Sequence, residues 1–542
     1  MSNAFFKVPQ PSNEPVLAYA SGSPERALLE ATIKEMKAVQ TDIPMTIGGE
    51  KVYTDNKIAL HPPHELSHVL GHFSRGTKEH VEQAIDAALA AKDAWEDMAW
   101  HDRAAIFLKV ADLISGPYRQ KLAAATMLGQ GKNIFQAEID AIAELADFMR
   151  FNVQYMTQLY TEQPDSSNLI WNRMEHRPLE GFIFAITPFN FTAIAANLCA
   201  APAMLGNVIV WKPSDDQIYS AGLLMEIFER AGLPKGVINL VFTDGPEAGD
   251  VVFNHKDFAG LHFTGSTGVF RTLWKTIGNN IEKYRTYPRI VGETGGKDFV
   301  VAHKSADPKE VATALVRGSF EFSGQKCSAA SRAYIPQSMW DEVKAYMEAD
   351  LNEIKTGTPE DYTNFVNAVI NERSFDKIAS YIDQAKSDSD AEVIMGGHCS
   401  KEVGYFVEPT VILAKTHDYR TLCEEIFGPV LTVFVYQDEE FEAILKVVDN
   451  TSPYALTGSI FAIEREAVNV AVKALRHSAG NFYINDKPTG AVVGQQPFGG
   501  GRGSGTNDKA GSILNLIRWV SPRTIKETFV PATQYSYPSF EK

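Results

Sequence analysis

Three side chains of this sequence combine reactive chemistry with positions in glycine-containing or turn-like segments. Cys327 lies in the polar segment 322–328, directly after a helical pattern, where an accessible thiol can act as a nucleophile. Glu293 ends an apolar run and precedes two glycines, where a carboxylate can approach a substrate as a general base. Asn190 follows another apolar run and opens a helical pattern, so its amide can donate to an oxyanion. These residue types can therefore supply a nucleophile, a general base and an oxyanion donor.

Each of these side chains also has an ordinary structural interpretation. A free cysteine is usually a small buried apolar residue, and Cys199, within an apolar helical pattern, fits that description. Glu293 can be an exposed ionised side chain, and Asn190 can simply cap its helix. Considered one residue at a time, the sequence leaves these alternatives open.

The glycine-containing segments can be compared with the known motifs that bind nucleotide phosphates. Residues 292–297 and 129–132 contain Gly-Lys but lack the remaining residues of a phosphate-binding P-loop, so no ATPase is indicated. The dinucleotide fingerprint with three spaced glycines is also missing. Residues 263–268 nevertheless place small residues between a strand and a helix, where a phosphate can reach helix N-terminal amides.

Composition excludes several classes of protein. The 542 residues exceed the size of one hydrophobic core, which predicts two or three domains. The net charge of −16 comes without a basic stripe and argues against a nucleic-acid partner, and no apolar run is long enough for a membrane span. Four cysteines without CxxC pairs or zinc spacing predict neither a metal site nor disulfides. We therefore expect a soluble protein of a reducing compartment, the cytoplasm or, as a matured form, an organelle.

Apolar periodicity predicts an α/β fold. Residues 1–72 mix proline, glycine and short patterns and are interpreted as an irregular N-terminal arm. Helical spacing predicts helices at 77–95, 104–128 and 135–160, and a second alternating α/β stretch covers 311–484. Between them, short strands at 181–186, 208–211, 237–242 and 261–264 alternate with helices at 193–205, 220–231 and 247–254, which predicts a parallel sheet.

The individual signals occur together in one order, and in that order the sequence resembles the aldehyde dehydrogenase superfamily. The resemblance spans about residues 70 to 530. It rests on Pro188-Phe189-Asn190-Phe191, Trp211-Lys212-Pro213-Ser214, Phe263-Thr264-Gly265-Ser266, Glu293-Thr294-Gly295-Gly296-Lys297, Gly324-Gln325-Lys326-Cys327, Glu425-Ile426-Phe427-Gly428-Pro429 and Pro497-Phe498-Gly499-Gly500.

The resemblance implies a mechanism and a cofactor. Cys327 would form a thiohemiacetal and then a thioester, Asn190 would hold the oxyanion, and Glu293 would activate the hydrolytic water. Asp215 near the ribose would repel a 2′-phosphate, so NAD is preferred over NADP. The implied cofactor-binding residues are Lys212, Ser214, Gly265, Ser266, Glu425, Trp211 and Phe427.

The implied fold has three parts. A Rossmann-like NAD-binding domain takes residues 73–162 and 180–296, and an α/β catalytic domain takes 297–512. A β-flap takes 163–179 and 513–542 and would pair with a neighbouring subunit, which implies a homodimer or a dimer of dimers.

Finer motifs resemble one branch of the superfamily, the L-glutamate γ-semialdehyde dehydrogenases. These motifs lie at 21–26, 129–132, 136–140, 188–194, 324–329 and 494–500. The implied substrate is an amino-acid semialdehyde derived from 1-pyrroline-5-carboxylate in proline catabolism. In that branch a Gly-Ser loop anchors the substrate carboxylate, and Ala491 replaces the serine here, which would remove about 1 kcal/mol of binding. The implied substrate-binding residues are Ser328, Gly490, Ala491, Phe191, Phe498 and Glu138.

Three other functions remain open at this point. A related enzyme could act on another aldehyde such as succinate semialdehyde. A cysteine hydrolase could use Cys327 without a cofactor, although no histidine lies near it in the sequence. A non-catalytic binding protein could share the fold, but would not need Cys327, Glu293 and Asn190.

Overall fold

Short apolar runs form the parallel strands of a seven-stranded sheet in the computed structural model, which describes residues 4–541. Five strands are parallel, and two from the N-terminal arm add antiparallel to one edge. The four strands predicted from the sequence are confirmed. In spatial order the strands are Arg289–Glu293, Phe258–Thr264, Phe182–Thr187, Val208–Pro213, Ile238–Leu240, Met45–Ile47 and Glu50–Val52.

Helices cover this first sheet. The helix predicted at 104–128 is two helices, because the Gly116-Pro117 pair interrupts it and proline has no N–H to continue the hydrogen-bond ladder. The helix predicted at 135–160 contains a π-helical turn at Glu138–Glu144. The helices are Lys78–Asp97, Trp100–Ser115, Arg119–Gln130, Ile134–Ala137, Leu145–Thr161, Thr192–Met204, Ile218–Ala231, Gly245–Val252 and Thr267–Asn279.

The N-terminal arm is more ordered than its composition predicts. It contains the helix Pro24–Ala38, whose N-terminal Ser23 accepts from the backbone of Arg26. Its strands Thr41–Ile43, Lys57–Leu60 and Gly71–Ser74 form a small sheet of their own. The expectation of an irregular arm was wrong, because long-range strand pairing supplies the hydrogen bonds that local sequence does not specify.

A second seven-stranded sheet organises the C-terminal half. Its strands are Ala391–Met395, Thr410–Ala414, Val430–Tyr436, Ala330–Pro336, Asp298–Ala302, Thr457–Phe461 and Asn481–Ile484, and only the first is antiparallel. The main helices packed on this sheet are Pro308–Phe320, Gln337–Glu353, Glu372–Ser387, Phe441–Asn450 and Arg465–Ala474. Separate apolar clusters fill the space between the helices and each face of the sheet.

A two-stranded ribbon projects from the body. Ile170–Pro178 pairs antiparallel with Val520–Thr528 over nine residues, although more than 340 residues separate the paired positions. Most of its side chains are partly or fully exposed. The outer edge of Val520–Thr528 offers backbone groups that can pair with another strand. On the outer edge of Ile170–Pro178, by contrast, the Gln163 side chain bonds both the N–H and the carbonyl oxygen of Met174, and Ser166 Oγ accepts from Asn172 N.

Shorter elements complete the description. The short strands are Lys355–Thr356, Asn364–Val366, Cys399–Ser400, Phe406–Val407, Tyr454–Ala455 and Gly501–Arg502, and two short helices are Arg420–Cys423 and Ile513–Leu516. Among residues 4–541, none of the helices combines the length and apolar character needed to cross a bilayer.

Candidate active site

A turn in the left-handed backbone conformation directly precedes the loop that carries Cys327. Phe322, Ser323 and Gly324 all have positive φ, at 52°, 53° and 65°, which is unfavourable for the first two. Two hydrogen bonds to residues 367–370 hold this backbone: Ser323 Oγ donates to Asn367 O at 2.6 Å, and Gln325 Oε1 accepts from Ile370 N at 2.8 Å. Strain that surrounding contacts maintain in this way is typical of functional sites.

Asn190 lies directly against the cysteine loop. Its Nδ2 donates to Gln325 O at 3.0 Å, and the side chain is only 4% exposed. The N-cap of the following helix is Phe191, and Asn190 makes no capping bond. The helix-cap interpretation of Asn190 was therefore wrong, and its second N–H remains available to a ligand at the cysteine.

A buried ion pair fixes the start of the helix that follows Asn190. Asp140 accepts from the backbone N–H of Thr192 at 3.0 Å and of Ala193 at 2.9 Å, and thereby caps the helix from outside. Lys132 Nζ lies 2.7 Å from the same carboxylate and 4.0 Å from the ring centroid of Phe191. Neither residue was singled out as functional in the sequence, yet together they fix the backbone that carries Asn190.

Glu293 ends the edge strand Arg289–Glu293 and faces the loop that follows the second sheet. Gly500 N donates to its Oε2 at 3.3 Å. Burial raises the pKa of Glu293 well above the usual range, and nearby Asp508 raises it further, whereas Lys509 lowers it. The carboxylate is half-buried rather than freely exposed, which favours the general-base interpretation over the surface one.

The thiol of Cys327 shares this electrostatic environment. Burial raises its pKa well above that of a free cysteine, and the carboxylates of Asp298, Glu293 and Glu425 add to the rise. A thiol held protonated needs a base to accept its proton when it attacks. Within residues 4–541 no group of three or more His, Cys, Asp or Glu side chains is placed to hold a metal ion.

A second set of residues surrounds the carboxyl ends of the first sheet. Ser266 caps the helix Thr267–Asn279 by accepting from Val269 N at 3.3 Å, and Gly265 precedes it. A Cβ at Gly245 or at Gly268 would meet no atom within 4 Å, so open space lies beside these helix N-termini. That space, with helix amides facing it, is suited to a pyrophosphate group.

Comparison with known proteins agrees with this geometry. A sequence model described as the aldehyde dehydrogenase family matches residues 52–524. The chain belongs to the aldehyde dehydrogenase family. It is 50% identical to the mitochondrial delta-1-pyrroline-5-carboxylate dehydrogenase of Dictyostelium discoideum over 98% of this chain and 96% of that protein. For the mitochondrial protein of that name from Homo sapiens the identity is 46%, over 97% and 94%.

A solved structure matches this aldehyde dehydrogenase over its whole length. The Delta-pyrroline-5-carboxylate dehydrogenase of Mycobacterium tuberculosis, determined bound with NAD, superimposes with a TM-score of 0.97 at 50% identity and covers 100% of both chains.

The polar side chains predicted to bind a cofactor in this aldehyde dehydrogenase are only partly satisfied within the protein. Lys212 Nζ reaches the neighbouring Pro213 O at 3.3 Å, and burial lowers its pKa. Glu425 accepts from Gly296 N at 2.8 Å, and burial raises its pKa. Phe427, at φ 63°, packs edge-on against Phe189 at 5.9 Å between ring centroids.

Two of the predicted site residues, Trp211 and Glu138, have fully buried side chains. The indole of Trp211 is fully buried and donates to Thr187 Oγ1 at 2.9 Å, so it supports the sheet and does not line an open surface. Glu138 is also fully buried; it pairs with Arg119 and accepts from Tyr19 Oη at 2.9 Å and from Leu17 N at 3.0 Å. Their roles in binding cofactor and substrate stay predictions, and in the structure both side chains belong to buried hydrogen-bond networks.

The remaining substrate-site predictions fall near the cysteine loop. Ser328, next to Cys327, shares a 2.8 Å hydrogen bond between its Oγ and that of Thr489. Gly490 follows Thr489 with φ 98°, a conformation that favours glycine, and Ala491 comes next. Phe498 pairs through its backbone with Ala510, on the loop that also contacts Glu293.

Glu144 was not identified from the sequence, although its carboxylate shares an electrostatic environment with Lys132 and Lys326. Burial and Asp140 raise the pKa of Glu144 to about 8, while Lys132 and Lys326 lower it. Its position six residues after Glu138, across a π-helical turn, changes which face it occupies. A strict α-helical pattern could not have placed it here.

Lys509 and Asp508 give a matched pair of tests for Glu293. Lys509→Met removes the cation that lowers the pKa of Glu293, so the rising limb of kcat against pH should move to higher pH by about half a unit to one unit. Asp508→Asn removes a carboxylate that raises it and should move the limb to lower pH. Steady-state NADH formation from pH 5 to 10 measures both, and shifts of the same sign would contradict this electrostatic account.

Proposed function

We propose that this aldehyde dehydrogenase oxidises L-glutamate γ-semialdehyde, the open form of 1-pyrroline-5-carboxylate, to L-glutamate, with NAD as oxidant, in proline catabolism. The observation that carries the proposal is the hydrogen bond from Asn190 to the loop of Cys327, because it brings an oxyanion donor and a nucleophile together. The names of the full-length relatives support the choice of substrate.

The first half of the reaction forms a bond between Cys327 Sγ and the aldehyde carbon. The thiol proton leaves to a base as this bond forms, and the carbonyl oxygen becomes an oxyanion. The free N–H of Asn190 Nδ2 and the backbone N–H of Cys327 donate to that oxygen. When bound, NAD supplies the hydride acceptor that converts the thiohemiacetal to a thioester.

The second half of the reaction hydrolyses the thioester. Glu293 accepts a proton from water, the water oxygen attacks the thioester carbon, and the carbon–sulfur bond breaks to release the acid and the thiol. A carboxylate whose pKa is raised by burial is a stronger base than an exposed one, which suits this task.

The residues of this chain fit the cofactor. Gly265 and Ser266 border the open N-terminus of the helix Thr267–Asn279, and Ser214 lies two residues after Lys212, at the start of the short helix Asp215–Gln217. Lys212 has a spare ammonium donor, and Glu425 has a second carboxylate oxygen to accept ribose hydroxyls. Phe427 would pack beside the nicotinamide end. We retain the proposed division into an NAD-binding domain, a catalytic domain and a flap, with the cofactor between the first two.

Substrate selection requires an anchor for the amino-acid carboxylate. Ser328 and the backbone N–H groups of Gly490 and Ala491 would supply it, while Phe191 and Phe498 would contact the aliphatic chain. Since the loop donors are backbone groups, the alanine at 491 weakens this anchor without removing it.

Ser328→Ala tests the anchor directly. Losing one hydrogen bond to a carboxylate should raise KM for the semialdehyde about tenfold and leave kcat nearly unchanged. Butanal, which lacks the carboxylate, serves as the control substrate and should show no such rise. Equal changes for the two substrates would contradict the assigned role of Ser328.

A substrate comparison tests the proposed function itself. Purified enzyme and NAD are mixed with equilibrated 1-pyrroline-5-carboxylate, succinate semialdehyde or butanal, and NADH absorbance is followed. We expect the highest kcat/KM with the first. Preference for another aldehyde would overturn the substrate and keep the reaction, whereas ester hydrolysis without NADH would indicate a cysteine hydrolase.

The exposed ribbon supports assembly into a homodimer or a dimer of dimers, since the outer edge of Val520–Thr528 can pair with another strand. Four free cysteines are consistent with a reducing compartment, the cytoplasm or the mitochondrial matrix. Sedimentation of the purified enzyme would measure the oligomer number.

A further inference from the structure

An ion pair lies just after the carboxyl end of the strand Val208–Pro213. Asp215, three residues after Lys212, pairs with Arg75, which directly follows Gly71–Ser74, the last strand of the small sheet that the N-terminal arm forms. Arg75 Nη1 donates to Asp215 Oδ1 at 3.3 Å, and Nη2 donates to Oδ2. Two parallel hydrogen bonds of this kind fix the guanidinium plane against the carboxylate.

The position of Arg75 is fixed by its own backbone and ring contacts. Its N–H donates to Asn56 O at 2.8 Å, and its carbonyl oxygen accepts from Thr54 Oγ1 at 2.9 Å. Its guanidinium carbon lies 4.9 Å from the ring centroid of Phe73. A cation held in this way loses little conformational entropy when it binds a ligand.

Four charged groups share this corner of the proposed cofactor site. Arg75 contributes to the lowered pKa of Lys212, while Asp215 and Asp244 oppose that shift. Gly76, next to Arg75, donates its N–H to Phe242 O at 2.8 Å, which joins this segment to the chain just before Asp244. The segment that follows the arm's small sheet therefore places a second cation, Arg75, near the lysine proposed to bind the adenosine ribose.

We infer that Arg75 determines whether this enzyme accepts a phosphate on the 2′ position of that ribose, and hence whether it binds NADP as well as NAD. Asp215 alone would repel a 2′-phosphate, but its charge is neutralised by the guanidinium, so NADP is tolerated. A 2′-phosphate that displaces the carboxylate gains the planar donors of Arg75 as its ligand. This specificity role rests on the proposed function, since it requires the cofactor to lie against Lys212.

Calorimetric titration with NAD and with NADP, without aldehyde, tests the inference on the intact enzyme. The two ligands differ only in the 2′-phosphate. Arg75→Gln should weaken NADP binding about tenfold or more while NAD changes less than threefold, and Asp215→Asn should tighten NADP binding at least threefold. Raising the salt concentration should shrink both differences.

Controls separate this role from structural damage. Lys401→Gln removes another paired surface cation, bonded to Glu372 and Asp376, and should alter neither affinity. If Arg75→Gln fails to fold, Arg75→Lys keeps the charge but loses the second hydrogen bond and should weaken NADP about threefold to tenfold. If Arg75→Gln weakens NAD and NADP binding equally, the inference is overturned and the proposed function stands. If the wild-type enzyme binds neither cofactor, the proposed function is overturned as well.

Discussion

Cys327→Ala is expected to abolish NADH formation, with kcat lowered by at least about 10⁴-fold, because no other group can form the thioester. The side chain lies on a loop fixed by Ser323 and Gln325, so its truncation should leave the backbone in place. NAD should still bind to the variant, since its proposed contacts lie on other segments. Stopped-flow measurement of NADH absorbance, with enzyme in excess over aldehyde, would detect even a single turnover by the variant.

Cys399→Ala is the matched control for this loss. Cys399 belongs to the small sheet Cys399–Ser400 with Phe406–Val407, away from the loop of Cys327, and should retain wild-type kcat. A residual rate above about 1% in Cys327→Ala would exclude Cys327 as the nucleophile. Loss of NAD affinity in the same variant would mean that the substitution had altered the cofactor site.

The location of Asn190 illustrates what the sequence could establish. The strand before it and the helix after it are specified by local apolar runs and small residues, so the turn between them could be placed. Glu293 was located in the same way at the end of a strand. Parallel strands bring their carboxyl ends to one edge, which explains why ends so distant in sequence meet.

Residues whose role depends on a partner distant in the sequence could not be identified from local sequence patterns. Asp140 caps a helix more than fifty positions later, and Arg75 meets Asp215 across 140 positions. The neighbouring sequence does not distinguish these paired charged side chains from charged side chains that are exposed to solvent. Glu138 shows the converse: its motif suggested the active site, yet its carboxylate binds the N-terminal arm, whose path the sequence did not reveal.

The N-terminal arm connects these observations. Asn13 Nδ2 donates to Asp147 Oδ2 at 2.7 Å and to Val493 O at 2.8 Å, and Gln495 returns a bond to its Oδ1 at 3.0 Å. Val493 lies two residues after Ala491, in the loop proposed to anchor the substrate carboxylate. The arm thus contacts the proposed substrate loop through Asn13, and the residue that follows its last strand, Arg75, contacts Asp215 at the proposed cofactor site.

Glu293→Gln is expected to separate the two halves of the reaction. Hydride transfer should persist, because Cys327 and Asn190 remain, but the thioester should accumulate for want of a base. Rapid mixing should show a burst approaching one NADH per active site, followed by a steady rate lowered about 10²- to 10⁴-fold. Mass spectrometry of the quenched enzyme should detect the glutamyl thioester on the peptide containing Cys327.

The pH dependence provides an independent check on the same residue. Burial raises the pKa of Glu293, so its basic form becomes populated only as pH rises above the usual range of a carboxyl group. The wild-type kcat should therefore increase with pH through that raised pKa, and this limb should disappear in Glu293→Gln. Absence of the NADH burst in the variant would instead assign Glu293 to deprotonation of Cys327, because a base needed for thiol attack must act before hydride transfer.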